Sequence, residues 1–104
     1  MRLTETFKLL FPAREQVARR AHVGVVGSGD LEILLEPASG DTAFVSVTTH
    51  LSGHRKTWEA VLERFFARHA FAMQLEIRDH GATPGTVWLR LEQALELAQK
   101  GERG

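Results

Sequence analysis

His22-Val23-Gly24-Val25-Val26-Gly27-Ser28-Gly29-Asp30-Leu31-Glu32-Ile33-Leu34-Leu35-Glu36-Pro37 holds two apolar runs that meet at a serine flanked by glycines. The first run, His22 to Val26, and the second, Leu31 to Pro37, both read as strands, which puts Ser28 at the tip of a β-hairpin. In the second run Leu31, Ile33 and Leu35 share one face, and Glu32 and Glu36 take the other. A hydroxyl at such a tip is exposed and open to chemical modification. Gly27 and Gly29 remove side chains that would obstruct another protein's active site, and they permit φ > 0 where the chain turns. Gly-Ser-Gly-Asp is equally a good hairpin turn with no further role, and spacing alone favours that plainer reading.

Outward from this hairpin the hydrophobic period assigns the other elements. Phe7, Leu9 and Phe11 alternate with Thr6, Lys8 and Leu10, a half-buried strand ended by Pro12. Ala13-Arg14-Glu15-Gln16 reads as a polar connection. The hairpin arms then span about Arg20 to Val26 and Asp30 to Glu36, and Pro37 to Asp41 is turn material. Thr42 to Thr49 is rich in β-branched residues, with Ala43, Val45 and Val47 on one face. From His54 to Phe71 the period changes to a helical one, with Trp58, Val61, Leu62, Phe65 and Phe66 on the apolar side. Met73, Leu75 and Ile77 return to strict alternation. Thr83 and Pro84 supply an N-cap and a first helical residue, after which Val87, Trp88, Leu91, Ala94, Leu95 and Ala98 form one stripe. Val87 to Leu91 alone also suits a strand. The order β-β-β-β-α-β-α predicts an α+β fold, with a mainly antiparallel sheet of about five strands and two helices packed on one face. Residues 100–104 read as a frayed tail.

Composition bounds the function. The 104 residues suit one domain with a modest core, and 43% hydrophobic content is that of an ordinary globular protein. Lys+Arg and Asp+Glu are 13 each, and this zero net charge argues against nucleic acid as a partner. Without cysteine there is neither a disulfide framework nor intrinsic thiolate chemistry, so any reactive thiol must arrive on a prosthetic group. The polar start Met1-Arg2-Leu3-Thr4-Glu5-Thr6 lacks the apolar core of a secretory signal, and no segment has the length of a membrane span. A cytoplasmic protein is expected.

Motifs for catalysis are missing. Gly27-Ser28-Gly29 is not the nucleophile elbow G-x-S-x-G, because Val26 and Asp30 stand where glycines belong. Gly24, Gly27 and Gly29 have the wrong spacing for G-x-G-x-x-G, and there is no phosphate-loop lysine. His22, His50, His54, His69 and His80 show no H-E-x-x-H pattern, and hydrogen-bonded or surface roles explain them more simply than a metal. Asp30 has two readings, a hydrogen bond to the turn backbone or assistance to an enzyme that modifies Ser28. Arg14, Arg19 and Arg20 are either solvated or available to the phosphates of an attached group.

The stretch 22–37 resembles the signature of the acyl carrier (delta) subunits of malonate decarboxylase. So does Asp79-His80-Gly81-Ala82-Thr83-Pro84-Gly85, followed by Val87-Trp88-Leu89-Arg90-Leu91-Glu92-Gln93, and the likeness runs from about Phe7 to Glu96. The resemblance implies one acyl-carrier domain over residues 1–104. It implies that Ser28 bears 2′-(5″-phosphoribosyl)-3′-dephospho-coenzyme A through a phosphodiester, which makes the chain a phosphoprotein. Gly27, Gly29 and Asp30 would support the turn, and no residue would be catalytic or bind metal. In the implied cycle of malonate catabolism, the arm's thiol carries acetyl, which the alpha subunit (acetyl-carrier:malonate transferase) exchanges for malonyl with release of acetate. The beta and gamma subunits then decarboxylate the malonyl thioester. A holo-carrier synthase, the phosphoribosyl-dephospho-coenzyme A transferase, would load the arm. Helical carriers that receive phosphopantetheine present Asp-Ser-Leu, whereas glycines flank Ser28 here, so the ordinary phosphopantetheinyl transferase should recognise this chain poorly. Alternatives are a carrier of the citrate lyase type, and a structural or binding subunit with an unmodified hairpin.

Overall fold

The computed structural model describes residues 5–24, 30–50 and 53–99. The strands are β1 (Glu5–Pro12), β2 (Glu15–Gln16), β3 (Ala21–Gly24), β4 (Asp30–Pro37), β5 (Thr42–Thr49) and β6 (Phe71–His80), and the helices are α1 (Arg55–Arg68) and α2 (Pro84–Gln99). The expected α+β class is observed, with strand order β1-β5-β6-β4-β3. β1 with β5, β3 with β4 and β4 with β6 pair antiparallel. β5 and β6 pair parallel, because α1 carries the chain back across the sheet between them.

Two details depart from the sequence reading. Glu15 and Gln16, read as a polar connection, form the short β2, which pairs parallel with Phe71 and Ala72. Two exposed polar residues carry no periodic signal, and their pairing is a backbone matter. Phe71, read as the end of the first helix, instead opens β6. Val87 to Leu91 is helical, consistent with the cap before it. Thr83 Oγ1 accepts the Thr86 N–H at 3.2 Å, and the Thr83 carbonyl accepts the Val87 N–H at 2.9 Å.

The core lies between one sheet face and the helices. Phe7, Val45, Val47, Leu31, Ile33, Leu75 and Ile77 are buried from the sheet, and Trp58, Leu62, Phe65 and Phe66 from α1. Val87, Leu91, Ala94, Leu95 and Ala98 of α2 complete it, much as the stripe predicts, while Val61 and Trp88 are half-buried. Val23 packs against the cluster, and Val25 lies outside the described residues. Phe66 stacks on Phe11 with ring centroids 4.8 Å apart, and Phe65 meets Phe66 and Trp88 edge-on at 5.2 and 5.8 Å. Such contacts add about 0.5–1.5 kcal/mol each beyond simple burial. The opposite sheet face is open, with Leu10 and Phe44 exposed on paired positions of β1 and β5. None of the described helices is long and apolar enough to cross a membrane.

Candidate functional site

Register brings both signature blocks to one end of the sheet. Glu5 of β1 faces Thr49 of β5, Thr49 faces Asp79 of β6, Asp79 faces Leu31 of β4, and Asp30 faces His80. Asp30 also bridges to Gly81, so the start of β4 abuts the turn that leads into α2. β3 and β4 are the antiparallel arms of the expected hairpin, with β3 at the edge of the sheet. The connection between them, residues 25–29, lies outside the described residues, and Gly27, Ser28 and Gly29 fall there. Asp30 is the first described residue after Ser28.

Asp30 is held by α2. Arg90 Nε donates to Asp30 Oδ1 at 3.2 Å, and Nη2 donates to Oδ2 at 3.1 Å, a two-pronged ion pair that bridges positions 60 residues apart. Nη1 donates to Gln93 Oε1 at 3.1 Å, which holds the guanidinium plane. The Leu31 N–H donates to Asp30 Oδ1 at 2.7 Å. The Arg90 hydrogen bonds, with help from this N–H, hold the Asp30 carboxyl below the usual carboxylate range. The backbone bond of Asp30 is to Leu31 inside β4, the turn it is expected to hold lies outside the described residues, and Arg90 is a partner that sequence reasoning did not supply. Its signal was a lone cation inside the mostly apolar run Val87 to Leu91.

Beside this pair, Asp79 ties the β6–α2 turn. It is 4% exposed, and Thr49, behind it on β5, is fully buried. Thr49 Oγ1 donates to Asp79 Oδ2 at 2.9 Å, and the Gly81 and Ala82 N–H groups donate to Oδ1 at 3.1 and 2.9 Å. Gly81 has φ near +97°, a conformation glycine adopts without penalty. Gly24, at the end of β3, has φ near +93°, and a Cβ there would run into the Leu31 carbonyl oxygen. The end of β3 therefore depends on close backbone approach to β4.

The remaining candidates separate. Arg20 donates to Glu36 at 3.2 Å, six residues along β4 from Asp30, about 20 Å at strand rise. Arg14 and Arg19 bond through their backbone N–H groups to Ala70 and Ala98, also at that far end. None of the three arginines is brought to Asp30. His22 meets Glu32 at 2.7 Å, and His69 meets Glu92 at 3.1 Å. The His50 and His80 rings lie 5.4 Å apart. Among the described residues no group of three or more His, Asp or Glu side chains is placed to hold a metal ion.

A cavity of about 300 Å³ opens at the same end of the sheet on its helical side. His54, Thr57 and Trp58 of the α1 end, Ala82 and Val87 of the α2 end, and Asp79 line it.

The comparisons agree with one another. Residues 18–98 match the model of the malonate decarboxylase delta subunit (MdcD) family. A malonate decarboxylase acyl carrier protein from Azotobacter vinelandii is 48% identical over 93 residues, 88% of this chain and 94% of that protein. One from Pseudomonas aeruginosa is 50% identical over 95 residues, covering 90% and 96%. Among solved structures, a chain of a Pseudomonas malonate decarboxylase hetero-tetramer crystallised with malonate superposes with a TM-score of 0.86 at 44% identity, covering 90% of this chain and 98% of that one. The sheet end where Asp30 meets Arg90 thus belongs to a fold shared with known carriers, and the chain is a member of the malonate decarboxylase delta subunit family, the acyl carrier proteins of that complex.

Proposed function

We propose that this chain is a carrier that presents Ser28 for phosphodiester attachment of 2′-(5″-phosphoribosyl)-3′-dephospho-coenzyme A within a cytoplasmic malonate decarboxylase. The observation that supports it most is the convergence of both signature blocks on Asp30, the residue two places after Ser28. The surroundings suit such a group. The first arm, β3, is the edge strand of the sheet, and α2 clamps the second arm, β4, at its first residue. When attached, the arm supplies a terminal thiol able to hold acetyl and malonyl groups as thioesters.

The chain's own part is mechanical. A serine hydroxyl is a weak nucleophile until a base activates it, and the transferase supplies that base, so Ser28 needs no triad here. Gly27 and Gly29 leave the hydroxyl uncrowded. Arg90 and Asp30 fix where β4 begins, and Asp79 fixes the neighbouring turn. Tethering raises the effective concentration of the acyl group at partner active sites. The alpha subunit would exchange acetyl for malonyl, and the beta and gamma subunits would decarboxylate, with oxyanion stabilisation coming from them.

The test is Ser28→Ala in the reconstituted complex. The variant should fold with an unchanged circular dichroism spectrum and thermal midpoint, yet give no malonate turnover. Full turnover with Ser28→Ala would refute the proposal.

A further inference from the structure

We infer that the cavity between the amino ends of α1 and α2 receives the acetyl-terminated end of the chain's own arm and turns away the malonyl-terminated one. This rests on the carrier reading above. Three observations carry it. The cavity holds about 300 Å³, the lower end of the range for small-molecule sites, and so suits a short acyl group with the end of its tether rather than a whole nucleotide. Its walls are mostly apolar, with the buried Trp58 and Val87 facing the half-buried Ala82. It also sits at the same sheet end as Asp30, since its Asp79 pairs in register with Leu31, the next residue of β4.

Selection follows from the same wall. Asp79 is the carboxylate of the lining, and its described partners, the Thr49 hydroxyl and the Gly81 and Ala82 N–H groups, are all neutral donors. A second acceptor-only group brought against it, the free carboxylate of malonyl, meets like charge where little water screens it. An acetyl end has no such group. It also keeps its thioester away from water while the carrier waits between partners.

The experiment uses the full chain carrying its arm, produced with its transferase and checked by intact mass. The arm thiol is acetylated or malonylated, and thioester cleavage by hydroxylamine is followed over time. Ala82→Leu fills the cavity while leaving the Ala82 N–H in place, and Val61→Phe, at a position that also lines it, fills it from α1. An acetyl end housed about nine-tenths of the time is cleaved about tenfold more slowly than a free one, so both filled variants should react about tenfold faster than wild type. The malonyl form should react alike in all three. In a Trp88→Phe background, Trp58 fluorescence should also change between the free-thiol and acetyl forms. Equal acetyl cleavage in wild type and both folded variants, or equal protection of malonyl, would overturn the inference. If intact mass shows no arm at all, the carrier reading itself fails and the inference falls with it.

Discussion

The Arg90 guanidinium grips both carboxylate oxygens of Asp30, with Nε 3.2 Å from Oδ1 and Nη2 3.1 Å from Oδ2. One contact thereby joins the last helix to the first residue after the Gly27-Ser28-Gly29 stretch. The pair is partly screened, at 28% and 19% side-chain exposure, so its effect is more on position than on stability.

Acid should reveal this contact. Arg90 holds the folded Asp30 carboxyl below the usual carboxylate range, where the unfolded chain titrates, so the pair stabilises above that range. Its contribution is lost as pH falls through the lower folded value. Urea midpoints of wild type and Arg90→Gln should therefore differ most near neutral pH and converge in strong acid, below the usual carboxylate range. A difference independent of pH would mean that Arg90 acts through packing alone.

Much of this site was legible in the strand period. Met73, Leu75 and Ile77 point inward, and Asp79 continues their phase, just as Thr49 continues Ala43, Val45 and Val47. Two inward polar residues on different strands call for each other, since a buried polar group without a partner is costly. Which strands were neighbours was not legible, because parallel pairing of β5 with β6 is a tertiary choice made by the crossover helix. For the same reason Arg90 offered only a lone cation in an apolar run, with nothing to say that it reaches Asp30. The existence of both helices, the Thr83 cap of α2 and most of the buried faces followed from period and propensity. β2 did not, having only backbone bonds to mark it.

The Thr49–Asp79 bond should be measurable as coupling. Thr49→Val and Asp79→Asn, alone and together, form a double-mutant cycle on urea unfolding. Contact across 2.9 Å in a buried site predicts a coupling of about 0.5–3 kcal/mol. Additivity within about 0.3 kcal/mol would show that the two side chains are held independently.

Phe65 is 1% exposed and touches Phe66, His69 and Trp88. Phe65→Ala should cost about 3–5 kcal/mol in denaturant unfolding, as loss of a buried aromatic leaves a cavity. A loss below about 1 kcal/mol would show that the α1 face does not sit on the sheet as described.

Gly27→Val and Gly29→Val probe the attachment segment itself. Both should remain folded by circular dichroism, because the hairpin arms and the Arg90 clamp lie outside the substitution. Both should be loaded more slowly by the transferase in a time course followed by mass, since a branched side chain crowds Ser28 and resists φ > 0. Loading as fast as wild type would assign these glycines to the turn alone.

Peptide mapping of the protein purified from its active native complex tests the central claim most directly. The phosphoribosyl-dephospho-coenzyme A mass should appear on the peptide containing Ser28 and on no other peptide. An active complex whose Ser28 peptide is unmodified would contradict the account.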